Sequence, residues 1–142
     1  MALIRDEVVQ QVRAAFVHLA GPVRLAVFSQ ALADPVSEDV KRLVEELAAL
    51  EPRITVEGFN FVLDTEKVQA LGIRRTPAIA IMGETRDYGI RFYGQTQGYE
   101  FGTLVEAILD VSSGQSGLSE PTRTALAELP RPVHLQVFST PT

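Results

Sequence analysis

The chain has 142 residues, of which 46% are hydrophobic and 22% are charged, a composition typical of a folded globular domain. Its net charge of −5 and the scatter of its thirteen lysines and arginines argue against binding to nucleic acid or to an anionic membrane surface. No apolar run reaches the roughly 18–20 residues that span a bilayer, and no signal-peptide pattern is present, so we expect a cytoplasmic protein. The sequence contains no cysteine, which excludes thiol chemistry, disulfides and thiolate metal sites within these residues.

The first third of the chain predicts a helix, a strand and a second helix. Apolar residues at helical spacing predict a helix over residues 4–19, and the β-branched and aromatic run 23–28 predicts a buried strand. Asp34 followed by Pro35 is typical of a helix start, because Asp is a favoured N-cap and Pro at the first helical position has no N–H to lose. The apolar face of this second helix continues to residue 50.

The middle of the chain predicts three strands and two helices. The pattern of apolar residues and turn signals predicts a strand over 54–61, a short helix over 64–71, a strand over 77–82, a strand over 88–93 and a helix over 99–111. Together with the strand over 23–28, these elements predict an α/β protein with a four-stranded mixed sheet and helices on both faces.

The end of the chain contains an internal repeat. Residues 22–29 recur as residues 132–139 with six of eight positions identical. Along the sequence, the two copies are separated by about the length of one small domain. Between the copies, the Gly- and Ser-rich run 112–117 predicts a linker and residues 120–129 predict a short helix. Residues 133–138 then predict a strand equivalent to the first strand of the chain.

The order of these elements, with Thr76–Pro77–Ala78 opening the third strand, resembles the thioredoxin/glutaredoxin fold and its cis-proline loop. Residues 89–101 are similar to the hairpin and following helix of a narrower group, the tandem thioredoxin-fold proteins. These are the glutaredoxin-like protein disulfide oxidoreductases and the N-terminal region of the alkyl hydroperoxide reductase flavoprotein subunit. Members of both kinds carry two thioredoxin units.

The resemblance implies how the chain is divided. Residues 1–111 would form a thioredoxin-like unit without redox cysteines, residues 112–117 a linker, and residues 118–142 the first helix and strand of an incomplete second unit. In the family, a strand with a turn like that of residues 138–142 leads into the C-x-x-C motif of the second unit. Because an unpaired apolar strand is a template for another chain, we expect residues 132–142 to be disordered, folded onto the first unit or exchanged into a homodimer.

The resemblance places the C-x-x-C motif of the first unit on Asp34, Pro35, Val36 and Ser37. A redox cysteine benefits from a helix N-terminus because the partial positive charge there stabilises the thiolate. Asp34 would experience the same field but cannot attack a disulfide, so the site is degenerate and no catalytic residue is predicted. We interpret Asp34 as a helix cap, with a ligand or metal role for Asp34, Ser37 and Glu38 as the alternative. Neither histidine has a second ligand at metal-binding spacing, and no cofactor is predicted.

The resemblance also gives Thr76 and Pro77 a binding role. In this fold, the turn at the proline exposes the backbone of the preceding residue, where an extended peptide can pair by strand addition. Arg74 and Arg75 would flank such a peptide and favour acidic or carbonyl contacts. The alternative is that Pro77 only shapes the turn.

Three functions follow from these observations. The first is a non-catalytic unit of a protein disulfide oxidoreductase, active in redox homeostasis, that supports a C-terminal dithiol unit or presents client polypeptides to it. No thiol–disulfide activity is then expected from residues 1–142. The second is a self-standing module that binds a peptide or partner through the cis-proline edge. The third is a scaffold for peroxide-linked electron transfer in a flavoprotein system. The Thr76–Pro77–Ala78 loop slightly favours the disulfide oxidoreductase group over the flavoprotein group.

Overall fold

A computed structural model describes residues 2–30 and 34–140 of the chain. Its helices and strands follow in the predicted order over the first 113 residues. Their bounds are α1 (Asp6–Phe16), β1 (Val23–Ser29), α2 (Pro35–Ala48), β2 (Ile54–Asn60), α3 (Thr65–Ala70), β3 (Ala78–Gly83), β4 (Ile90–Tyr93), α4 (Tyr99–Ser113) and α5 (Glu120–Ala127).

The four strands form one mixed sheet in the order β2-β1-β3-β4, which confirms the predicted fold class. β1 runs parallel to β2 and antiparallel to β3, and β4 pairs antiparallel with β3. Val27 of β1 lies opposite Gly58 on one side and Ile79 on the other. β1 is therefore hydrogen-bonded along both edges, which suits a strand whose residues 25–28 are all apolar and buried.

The two faces of the sheet are covered unequally. One face packs on α1, α2 and α4 through a single apolar cluster that includes Phe16, Leu47 and Ile108. The opposite face holds a smaller cluster, which includes Phe28 and Met82 and packs against α3. Helices therefore lie on both faces, as predicted, but three of them cover one face and a six-residue helix covers the other.

The N-terminal segment is tied to α2 by a carboxylate. Both oxygens of Glu46 accept the Leu3 N–H at 2.9 Å, and Oε2 also accepts the Ile4 N–H at 3.0 Å. These bonds bring Ile4 into the main apolar cluster, where it is 5% exposed.

Several element boundaries differ from the predicted ones. α1 ends at Phe16 instead of residue 19, because the next residues form tighter turns such as the bond from His18 N–H to the Ala15 carbonyl at 3.0 Å. β4 begins at Ile90 because a turn, closed by a 2.8 Å bond from Gly83 N–H to the Arg86 carbonyl, occupies the preceding residues. The predicted linker also starts late, since α4 continues through residue 113 and ends at Gly114, whose φ is +67°.

The predicted strand over residues 133–138 is wrong for the described chain. No strand is assigned between residues 128 and 140, and the side chains of Val133, Leu135, Val137 and Phe138 are 60–90% exposed. A nearly identical sequence is a strand in β1 because β2 and β3 supply its hydrogen bonds, and residues 132–139 have no such neighbours among the described residues. Of the three arrangements expected for residues 132–142, packing on the first unit is not seen for the exposed side chains of this segment, and the other two stay predictions. Residues 141 and 142 lie outside the described residues.

Among the described helices, none has the length and hydropathy that crossing a bilayer requires.

Candidate functional site

Both predicted sites lie at the same end of the sheet. α2 follows the carboxyl end of β1, and Asp34 is the residue immediately before it. Thr76 and Pro77 immediately precede β3, whose first residue, Ala78, pairs with Phe28 near the carboxyl end of β1.

Asp34 closes the N-terminus of α2. Its Oδ1 accepts the Val36 N–H at 3.1 Å, and its Oδ2 accepts the hydroxyl of Ser37. Pro35 occupies the first helical position, where a missing N–H costs nothing. The Ser37 hydroxyl and the Val36 N–H both favour the ionised carboxylate and lower the pKa of Asp34 below its usual value. The helix-cap interpretation of Asp34 therefore has direct support in the hydrogen bonds.

The four residues that the resemblance places at the C-x-x-C position contain no group that can attack a disulfide. Ser37 is 2% exposed and its hydroxyl is directed at Asp34, so both polar side chains at this position bond to each other. Within the described residues, no group of three or more histidine, aspartate or glutamate side chains is arranged to hold a metal ion.

The second predicted site presents an unpaired backbone. The Thr76–Pro77 peptide bond is cis, Pro77 is buried, and its carbonyl accepts the Gly94 N–H at 2.9 Å. Thr76 is half-buried, and its backbone forms no hydrogen bond to another described residue. An extended chain placed beside Thr76 would therefore find a free donor and a free acceptor.

A cleft of about 300 Å³ is lined in part by Arg75, the residue before Thr76, and we call it the arginine cleft. It is lined by Gly72, Arg74, Arg75, Arg91 and Tyr93. The sequence predicted Arg74 and Arg75 as flanking residues but gave no role to Arg91 or Tyr93. The sequence signal for Arg91 and Tyr93 was their spacing of two positions in β4, which puts both on one face of the strand. They lie opposite the small residues Ala80 and Ala78 of β3.

No protein-family model matches the chain. A curated relative described as NADH dehydrogenase, from Ferdinandcohnia aciditolerans, is 42% identical over 79 residues, which are 56% of this chain and 13% of that protein. The alkyl hydroperoxide reductase protein AhpF of Staphylococcus epidermidis is 30% identical over 105 residues, or 74% of this chain and 18% of that protein. The chain thus spans less than a fifth of the length of these relatives.

Solved structures share the fold over nearly the whole chain. The NTD_N/C domain of AhpF from Enterococcus faecalis superposes with a TM-score of 0.81 at 26% identity, covering 90% of this chain and 62% of that one. A protein disulfide oxidoreductase from Aeropyrum pernix superposes with a TM-score of 0.76 at 24% identity, covering 88% and 55%. More than a third of each solved chain has no counterpart in these residues.

Proposed function

We propose that this thioredoxin-fold chain, whose homologues are the N-terminal region of AhpF and a protein disulfide oxidoreductase, is a non-catalytic unit that supports a dithiol-bearing thioredoxin unit. The observation that supports this proposal most directly is the N-terminus of α2, which is capped by a side chain of the chain itself. Asp34, which the resemblance places where relatives have a redox cysteine, uses both carboxylate oxygens inside the chain. A unit built this way contributes a folded surface rather than a reacting group.

The sequence identities to relatives favour the flavoprotein system over the disulfide oxidoreductase as the system in which the chain has this supporting role. The match to AhpF reaches 30% in sequence and 26% in structure, whereas the disulfide oxidoreductase is 24% identical and supports the fold alone. We therefore place the scaffold for electron transfer to peroxide ahead of the disulfide oxidoreductase setting. The partner is the same in both settings, a thioredoxin unit with a C-x-x-C motif.

The intact mass of the native protein in its host tests this proposal. We expect a mass above 15.5 kDa by at least one further thioredoxin unit of about 80–100 residues, with two titratable thiols. In that protein, Asp34→Ala should leave the maximal rate of disulfide reduction unchanged at temperatures where the variant is folded. A native mass of 15.5 kDa, or a large loss of maximal rate in the folded variant, would overturn the proposal.

A second candidate function is peptide docking at Thr76 and Pro77. It is favoured by one observation, the half-buried Thr76 whose backbone is unpaired among the described residues. A reduced, iodoacetamide-alkylated unfolded protein should bind the native chain and lose affinity on Thr76→Arg, because the long side chain obstructs the edge. Thr85→Arg, on an exposed turn, is the matched control and should bind normally. Equal binding by both variants would exclude docking at this edge.

A further inference from the structure

We infer that the arginine cleft selects an acidic stretch of polypeptide for docking at Thr76. This inference rests on the second candidate function and names the chemical class of the docked segment. Arg75, the residue immediately before Thr76, lines the cleft, so a peptide paired with the Thr76 backbone would lie next to it.

The guanidinium groups of Arg75 and Arg91 and the backbone of Arg74 are held in place by neighbouring groups. The Arg75 guanidinium carbon lies 5.0 Å from the centroid of the Tyr93 ring, a distance typical of a cation–π contact. Arg91 donates from Nε to the Leu71 carbonyl at 3.0 Å, and its side chain is only 13% exposed. The phenol of Tyr93 accepts the backbone N–H of Arg74 at 3.4 Å. An incoming carboxylate thus meets donors that have already lost part of their conformational freedom.

The cleft carries positive charge without internal compensation. Arg91 is neutralised by Asp87, with Nη1 to Oδ1 at 2.9 Å. Arg74 and Arg75 form no ion pair with any described acidic residue. Two uncompensated cations therefore stand side by side on a chain whose net charge is −5. This local reversal of charge favours an anionic partner.

A polypeptide fits this surface better than a free anion does. The Thr76 backbone offers the N–H and C=O groups that an extended chain pairs with, and a free anion would leave the carbonyl unused. Alternate residues of an extended chain project to the same side, about 6.6 Å apart, so two glutamates in alternation would face the cleft together. Gly72 also lines the cleft, and the space next to its Cα is open, since a Cβ at this position would have no atom within 4 Å.

Fluorescence anisotropy with two short blocked peptides tests the inference on the full chain. One peptide alternates glutamate with valine, and the other replaces each glutamate by glutamine. We expect the glutamate peptide to bind about tenfold more tightly at low salt, with the difference reduced at high salt. The double variant Arg74→Glu/Arg75→Glu should abolish this preference. The variant Arg123→Glu/Arg131→Glu changes the net charge equally at exposed positions and should retain the preference.

The outcomes separate the inference from the docking function. If both peptides bind equally and Thr76→Arg weakens both, docking at Thr76 stands and the preference for acidic segments is overturned. If neither peptide binds at millimolar concentration, docking and preference fail together. If the two double variants lose the preference equally, the preference belongs to the overall charge of the chain and the arginine cleft is excluded as its source. Displacement of the glutamate peptide by inorganic phosphate at equal concentration would overturn the assignment to polypeptide.

Discussion

Replacing Thr96 by valine should raise the free energy of unfolding, although it removes a polar group from the loop between β4 and α4. The Thr96 side chain has no exposed surface, and its hydroxyl has no hydrogen-bond partner among the described residues. A buried hydroxyl without a partner costs about 1–3 kcal/mol, because it loses water and gains nothing in return. Valine has nearly the same shape and no polar group, so we expect a gain of at least about 1 kcal/mol.

Thr96→Ser is the matched control for this prediction. Serine keeps the hydroxyl and loses the methyl group, which costs about 0.8 kcal/mol for the lost apolar contact. The two variants should therefore move the free energy of unfolding in opposite directions.

Urea denaturation followed by far-ultraviolet circular dichroism measures both changes, provided that the slope with denaturant is unchanged. In thermal unfolding, the valine variant should melt about 3 °C higher for each kcal/mol gained. A valine variant that is less stable than the native chain would show that the Thr96 hydroxyl is hydrogen-bonded, and it would refute the reasoning.

Three further predictions follow from the contacts described above. Glu46→Gln should lower the free energy of unfolding by about 1–2 kcal/mol and speed amide hydrogen exchange at residues 3 and 4, because charged acceptors form the stronger hydrogen bonds. Glu45→Gln is the control, because Glu45 forms only an exposed ion pair, and it should leave both quantities nearly unchanged. The Arg91 hydrogen bonds lower the pKa of Asp87 below 3.8, so its contribution to stability is complete above that pH and is lost as the pH falls through the folded-state pKa. Asp87→Asn should therefore flatten the dependence of the urea midpoint on pH below about 4, and an unchanged slope would contradict this assignment. Limited proteolysis of the full chain should cut first within residues 114–140, where the side chains are exposed, and an early cut inside the sheet would contradict the predicted division at the linker.

The local sequence was sufficient to predict a helix or strand wherever that element is specified by its own residues. The Asp34–Pro35 pair marks the start of α2 because the cap and the first turn involve residues within three positions of each other. The buried strands β1 and β3 were recognisable because each contains a short apolar run, residues 25–28 and 78–82, bounded by polar residues, proline or glycine.

Features that depend on distant residues were not predictable from local patterns. The arginine cleft needs Arg75 to lie over Tyr93 and Arg91 to reach the Leu71 carbonyl, and each contact joins residues about twenty positions apart. The predicted strand over residues 133–138 failed for the same reason. Its pattern matches that of β1, but a strand exists only where another strand supplies its hydrogen bonds.

The repeat gives the chain two nearly identical segments, only one of which lies between β2 and β3 in the sheet. Residues 22–29 and 132–139 differ at only two positions, and one of these exchanges Ala26 for Gln136. Ala26 is completely buried, opposite Glu57 on one side and Ala80 on the other. A glutamine in that place would bury an unpaired amide, at about 1–3 kcal/mol, and would overfill the space left by a methyl group.

Gln136 therefore makes the second copy a poor substitute for the first, both within one molecule and between neighbouring molecules. A single side chain thus distinguishes the two copies during folding and protects the central strand from replacement by its own duplicate.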